Sequence, residues 1–264
     1  MQGERYCRTE CLERALAEIF VRALPLSHPA TIASHRIPLG LLLLSRQQLT
    51  AAQLRSALEA QRGAGCGPRQ KKIGAWLQEL GFSTEREVTA ALARQWSCPV
   101  LRAGSMAMEA NRFPAIALPA IPALLLESFQ MMPVELVAAT GTLLIAFSEG
   151  IDHTVLYAIE QMLGYRTEAC LVCPSTMKKS LLALAHSRVV REIIFDRAED
   201  ASECAHIVGN YSAKVGAKEI RLAKCGEYLW VRLEGLGQEA FNLVLRVSAE
   251  TPAVSPALHA ALVV

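Results

Sequence analysis

The hydrophobic positions between Pro38 and Gln95 follow one pattern written twice. Leu39 returns as Ile73, Leu43 as Leu77, Leu54 as Val88, Ala57 as Ala91 and Leu58 as Leu92. Polar and small landmarks move by the same offset: Gly40 becomes Gly74, Thr50 becomes Thr84 and Gln61 becomes Gln95, each 34 positions on. Apolar coincidences are expected by chance in a chain that is 52% hydrophobic. Coincidence of Gly, Thr and Gln at one offset is not, so an internal repeat is the first organising fact. Each copy reads as two short helices. In the first, a helix opens at Leu39-Gly40 and runs to about Arg46. Thr50 then caps a second helix, and Gln53 three residues on completes a capping box. In the second copy a helix opens at Ile73-Gly74 and Gly81 ends it with a left-handed cap. Thr84 with Glu87 is the second box. Leu54, Ala57 and Leu58 share one helix face, and Val88, Ala91 and Leu92 repeat it. The two helix pairs are therefore expected to pack on each other. A tetratricopeptide reading of the same period is rejected, because only two copies exist and the Trp and Tyr signature is missing.

Outside the repeat, 8–24 reads as an amphipathic helix: Leu12, Ala15, Leu16, Ile19, Phe20 and Ala23 oppose Glu13, Arg14, Glu18 and Arg22. The reading favoured here packs it on the first domain, with partner docking as the alternative. Pro- and Ser-rich 25–35 reads as a linker. The spacer 62–72 carries Gly63, Gly65 and Gly67, then Arg69, Lys71 and Lys72. A flexible connector is favoured over a phosphate cradle, since no strand precedes it and no Gly-Lys-Ser/Thr closes it. An irregular join, 98–122, leads to a helix at 123–129 and strands at 134–138 and 143–147 around Thr140-Gly141. A helix at 152–163 ends at Gly164, a strand follows at 166–172, and Ser175 is expected to cap a helix over 176–186. A third unit, 189–247, reads as a helix at 200–215, a break at Gly216 and strands at 219–223, 228–234 and 240–247. The end of the chain reads as a frayed tail. The expected class is mixed α/β: a helical tandem-repeat subdomain followed by two small α+β units. The expected divisions are 1–35, 36–101, 102–187, 188–250 and a tail at 251–264.

A length of 264 residues suits two or three small domains, and the apolar content argues against long disorder. A formal charge of +2 argues against a nucleic-acid surface. No uninterrupted apolar run reaches the length of a membrane span, and Glu4, Glu10, Glu13 and Glu18 spoil any signal-peptide layout. A cytoplasmic protein without direct membrane insertion is expected. The eight cysteines include Cys7 and Cys11 four apart, and one CxxC at Cys170 and Cys173. A structural zinc site needs paired knuckles, so the thiols read as core or incidental and no metal is expected. His153, His186 and His206 stand alone, without HExxH spacing. No Gly-x-Ser-x-Gly elbow and no Gly-Lys pair occurs, so neither a hydrolase nor a P-loop is written here.

The tandem resembles the MshEN domain, the N-terminal domain of type II secretion and type IV pilus assembly ATPases (the type II secretion system protein E N-terminal family). The family pattern is Arg-Leu-Gly, two residues, two aliphatics, two residues, Gly, one residue, an aliphatic, four residues, Leu, two residues, Ala-Leu, two residues, Gln. Copy one matches at Leu39-Gly40, Leu43-Leu44, Leu49, Leu54, Ala57-Leu58 and Gln61. Copy two matches at Ile73-Gly74, Leu77, Gly81, Val88, Ala91-Leu92 and Gln95. The resemblance implies a bacterial regulatory protein of protein transport, and the missing Gly-Lys pair makes a non-catalytic one the expectation. Its implied partners are a secretion or pilus platform protein at the inner membrane and a separate secretion ATPase. Beyond the tandem, 216–221 resembles the family's Gly-Ala-Ser-Asp-Ile-His, and 230–235 its Arg-Val-Arg-Asp-Gly strand and turn, which open the domain before the motor. The motor itself is expected to be lost or to lie on another chain.

In the family such a tandem can bind cyclic di-GMP. The resemblance therefore implies a ligand set of Leu39, Gly40, Leu43, Leu44, Leu54, Leu58, Gln61, Lys72, Ile73, Gly74, Leu77, Gly81, Val88, Leu92 and Gln95. The leading Arg is Pro38 in copy one and Lys72 in copy two, the Gly of copy one is Gln47, and Gln78 and Ser83 replace aliphatics. A lost charge-assisted hydrogen bond costs about 1.5–3 kcal/mol. A Gln forced into the left-handed region costs roughly 1–2 kcal/mol more. At tenfold per 1.4 kcal/mol, binding is expected to be weakened by about two orders of magnitude or more, leaving weak or no binding, carried mainly by copy two.

Overall fold

The computed structural model describes residues 4–6, 8–23, 36–64, 71–101, 120–187, 192–198, 200–235, 240–247 and 260–263. The linker at 25–35, the heart of the glycine spacer and most of the irregular join lie outside the described residues. The chain is mixed α/β, a helical N-terminal part followed by α+β units.

The tandem forms as its pattern requires. Helices α2 (Leu39–Ser45) and α3 (Ala51–Gly63) make copy one, and α4 (Ile73–Glu79) and α5 (Glu85–Gln95) make copy two. Both capping boxes are closed in both directions, at Thr50 with Gln53 and at Thr84 with Glu87. Each satisfies two backbone donors that a helix start leaves open. The pairing is crossed: α2 packs on α5 and α3 on α4. Leu43, Ala57, Leu77 and Ala91 are fully buried in a common core with Leu39, Leu49 and Val88.

Two sheets follow. The smaller has the order β2-β3-β4, from β2 (Met131–Val137), β3 (Thr142–Phe147) and β4 (Arg166–Leu171). The larger has the order β1-β9-β6-β7-β8-β5. Its antiparallel meander is β6 (Ala217–Cys225), β7 (Tyr228–Gly235) and β8 (Phe241–Val247). The edges are β5 (Glu192–Ala198), parallel to β8, and β9 (Ala260–Val263), which pairs β6 and, on its far side, β1 (Glu4–Arg5).

Helix α7 (His153–Leu163) lies between the sheets, against β4 on one side and β6 on the other. It buries Val155, Leu156, Ala158, Ile159 and Met162, one wide face at helical spacing. Asp152 caps its start by accepting from the amides of Thr154 and Val155, and left-handed Gly164 ends it. Alternation along the larger sheet serves both of its faces. Trp230, Tyr228, Ala223 and Cys225 join the core around α7, while Val231, Leu229, Ile220 and Leu222 point the other way. The opposite face is covered by α1 (Thr9–Ala23) and α9 (Ala201–Val215).

Several sequence expectations shift. The N-terminal helix does not pack on the tandem. Leu12, Leu16 and Phe20 are buried against α9 and the larger sheet, and Lys224 on β6 donates to the carbonyl of Ala23 at the helix end, 2.7 Å. Gly209 permits this close crossing, since a Cβ there would lie 2.5 Å from Cγ of Glu13. Ser175 does not cap its own helix. Helix α8 (Pro174–Ser187) starts before it, and the Ser175 amide and hydroxyl donate to the Glu85 carboxylate of α5 at 2.6 and 2.7 Å. The tail reading does not hold for 260–263, which form β9, and β5 lies where no strand was expected.

Candidate functional site

The site is built from the two copies of the tandem, and their backbone geometry repeats. After α4 the amide of Gly81 donates to the carbonyl of Gln78 and that of Phe82 to Leu77. After α2 Gln47 donates to Leu44 and Gln48 to Leu43. Gly81 has φ 69° and Gln47 has φ 58°, so Gln47 does occupy the left-handed conformation its glycine twin adopts freely.

The repeated glutamines are exchanged between copies. Nε2 of Gln61 in copy one donates to the carbonyl of Lys71, just ahead of copy two, at 2.9 Å. Nε2 of Gln95 in copy two donates to the carbonyl of Ile37, just ahead of copy one, at 2.7 Å. Each copy thus holds the entry of the other, the hydrogen-bond counterpart of the crossed helix packing. The repeated glycines are points of close approach. A Cβ on Gly40 would lie 2.6 Å from Cδ1 of Leu54, and one on Gly74 2.9 Å from Cγ1 of Val88.

The residues of the implied ligand set divide by this geometry. Leu39, Leu43, Leu77 and Val88 are core, with Gly40 and Gly74 buried beside them. Leu54, Ile73 and Leu92 are half-buried against that core, and Leu44 and Leu58 are half-buried. Gln61 and Gln95 are committed to the reciprocal bonds. Gly81 and Lys72 are exposed.

Lys72 has a partner that the sequence did not reveal. It is the residue before α4, and its ammonium donates to a carboxylate oxygen of Glu149 at 2.9 Å and to the Glu149 carbonyl at 3.3 Å. Glu149 lies in the turn from β3 into α7, so one ion pair joins the motif to the first α+β unit. The same turn meets the tandem again at Trp96, directly after α5. The Trp96 ring packs near Gly150, lies 5.8 Å from the His153 ring, and carries the Arg36 guanidinium 3.3 Å from its centroid. Arg36 stands two residues ahead of Pro38, the uncharged leading position of copy one. A cation near a motif's start is a signal the sequence holds; its partner 77 positions on is not.

Among the described residues the thiols carry no comparable constellation. Cys170, Cys204 and Cys225 are buried, and burial pushes the first two up to about 12 and raises the third as well. Cys170 of the CxxC is a core residue whose thiol lies 3.7 Å from the Ile145 carbonyl. Among the described residues no group of three or more His, Cys, Asp or Glu side chains is placed to hold a metal ion. No described helix is long and apolar enough to cross a membrane.

No family model and no curated protein matches the chain. Among solved structures it is similar to MshE with cdg, at 25% identity over 55% of this chain and 97% of that one, with a TM-score of 0.45. It is also similar to the N-terminal domain of XpsE in two crystal forms. The identities are 18% and 20%, covering 55% and 53% of this chain and 92% and 90% of the other, with TM-scores of 0.41 and 0.35.

Proposed function

We propose that this chain is a non-catalytic module of the kind found at the N-terminus of type II secretion and type IV pilus ATPases. It acts in the cytoplasm by docking on, or regulating, such a machine at an inner-membrane platform protein or a separate secretion ATPase. The observation that carries this reading is the tandem motif, twice written in the sequence, with two copies that hold each other's entries through Gln61 and Gln95. An outward asymmetry fits a docking role. Ile37 and Leu41 are 58% and 52% exposed, while their twins are Lys71 and Ala75.

The chain supplies no phosphate-binding Lys after Gly. Purified protein is therefore expected not to hydrolyse ATP. Phosphate release above a blank that survives repurification would contradict this. Tagged protein is expected to retain a platform component of a secretion or pilus system from its own cells. Failure to recover one with folded, full-length bait would count against docking.

A second reading is a degenerate cyclic di-GMP sensor, favoured by the retained apolar frame and by the exposed cation at Lys72. The uncharged Pro38 and the strained Gln47 predict weak binding. Calorimetric titration tests this: Lys72→Ala should abolish any binding and Cys170→Ser should leave it intact. A submicromolar Kd would show that copy one still works.

A further inference from the structure

We propose that the Lys72–Glu149 pair is an autoinhibitory contact, which any anion recruited to the tandem motif must break. This rests on the nucleotide reading above and adds to it a regulation of the same site. The leading positions of the two copies are Pro38 and Lys72, so the second supplies the motif's leading positive charge. That charge is taken up by the carboxylate and the carbonyl of Glu149, at 2.9 and 3.3 Å. An ammonium has three donors. Two of them face Glu149, and the carboxylate beside them repels an incoming phosphodiester.

The contact is placed to transmit what happens at the motif. Glu149 and Gly150 lead through the capping Asp152 into α7, the helix held between the two sheets. The turn also touches Trp96, at the end of α5. Transfer of Lys72 from Glu149 to a ligand releases this tie between the turn and the tandem and leaves the Trp96 contact as pivot. Because such coupling is reciprocal, anything that draws Glu149 away from Lys72 raises the motif's affinity for an anion by the same factor.

The test is calorimetric titration of cyclic di-GMP into full-length wild type, Glu149→Gln, Lys72→Ala and the double variant. Both side chains are largely exposed, so the substitutions leave the core intact. An exposed ion pair predicts that Glu149→Gln tightens binding by about two- to fivefold. The gain should shrink as salt is raised. The double variant should bind no better than Lys72→Ala alone. In hydrogen exchange, amides of 148–155 should open faster in Glu149→Gln without nucleotide, and in wild type when nucleotide is added. Measurable binding that Glu149→Gln leaves unchanged, or improves equally without Lys72, overturns the contact and spares the nucleotide reading. Absence of binding in every variant overturns both.

Discussion

At Gly74 a Cβ would lie 2.9 Å from Cγ1 of Val88 and 3.2 Å from Cδ2 of Leu39, inside a core that already holds Leu77 and Ala91. Gly74→Ala should therefore destabilise the protein by about 1–3 kcal/mol, as other overpacked cores do. Adding Val88→Ala should return part of that loss in chemical denaturation, since the second change removes the colliding methyl. Gln47→Gly acts in the opposite direction. Relief of left-handed strain, less the added entropy of glycine in the unfolded chain, predicts a gain of roughly 0.5–1 kcal/mol. The buried thiols make a pH prediction. For Cys170 and Cys204 the folded value, about 12, stands above that of an unfolded thiol, so the fold favours the protonated form. Their contribution is fully present below the unfolded pKa and is lost as pH rises towards 12. Stability should fall on the alkaline side, and Cys170, Cys204 and Cys225 should resist alkylation at neutral pH while exposed Cys11 reacts. An equal labelling rate at all of them would contradict the burial.

The helices of the tandem were legible from two capping boxes, at α3 and α5, a left-handed glycine after α4 and a stripe at helical spacing, although α2 and α4 carry no side-chain cap. The same holds for α7 and α9, where Asp152 and Asp200 cap the starts and Gly164 and Gly216 end the helices. What failed depended on partners distant in sequence. Ser175 has the chemistry of a cap, but Glu85 supplies the competing acceptor from another element. Strand β2 begins at buried Met131, ahead of Pro133, a residue that argues against a strand interior; a register shift after Pro133 accommodates it. Strand β9 is four residues long, and its pairing with β6 lies some 40 positions away. The amphipathic stripe of α1 announced a buried face without naming what buries it. The position of α7 between two sheets yields a prediction at this scale. Ile159→Ala should cost about 2–5 kcal/mol, a full core truncation. Protection of amides in β3 and β7 should then fall together, because both sheets lose the same support. Loss confined to one sheet would contradict the shared core.

At the scale of the molecule, the two α+β units share one core through Trp230, Val244 and α7, and the tandem joins that core at Ala93, Leu92 and Trp96. The first helix closes over the far face of the larger sheet, and β1 pairs with β9 at one edge of that sheet. Under the docking reading proposed above, the outer surface of this shared body is what a partner would meet. The most direct measurement is the binding of purified full-length protein to the purified cytoplasmic domain of the platform protein from the same secretion or pilus system, repeated in the presence of the system's ATPase. A docking module should bind saturably, either in competition with the ATPase or through it as a bridge. Folded protein that binds neither component, alone or together, would contradict docking.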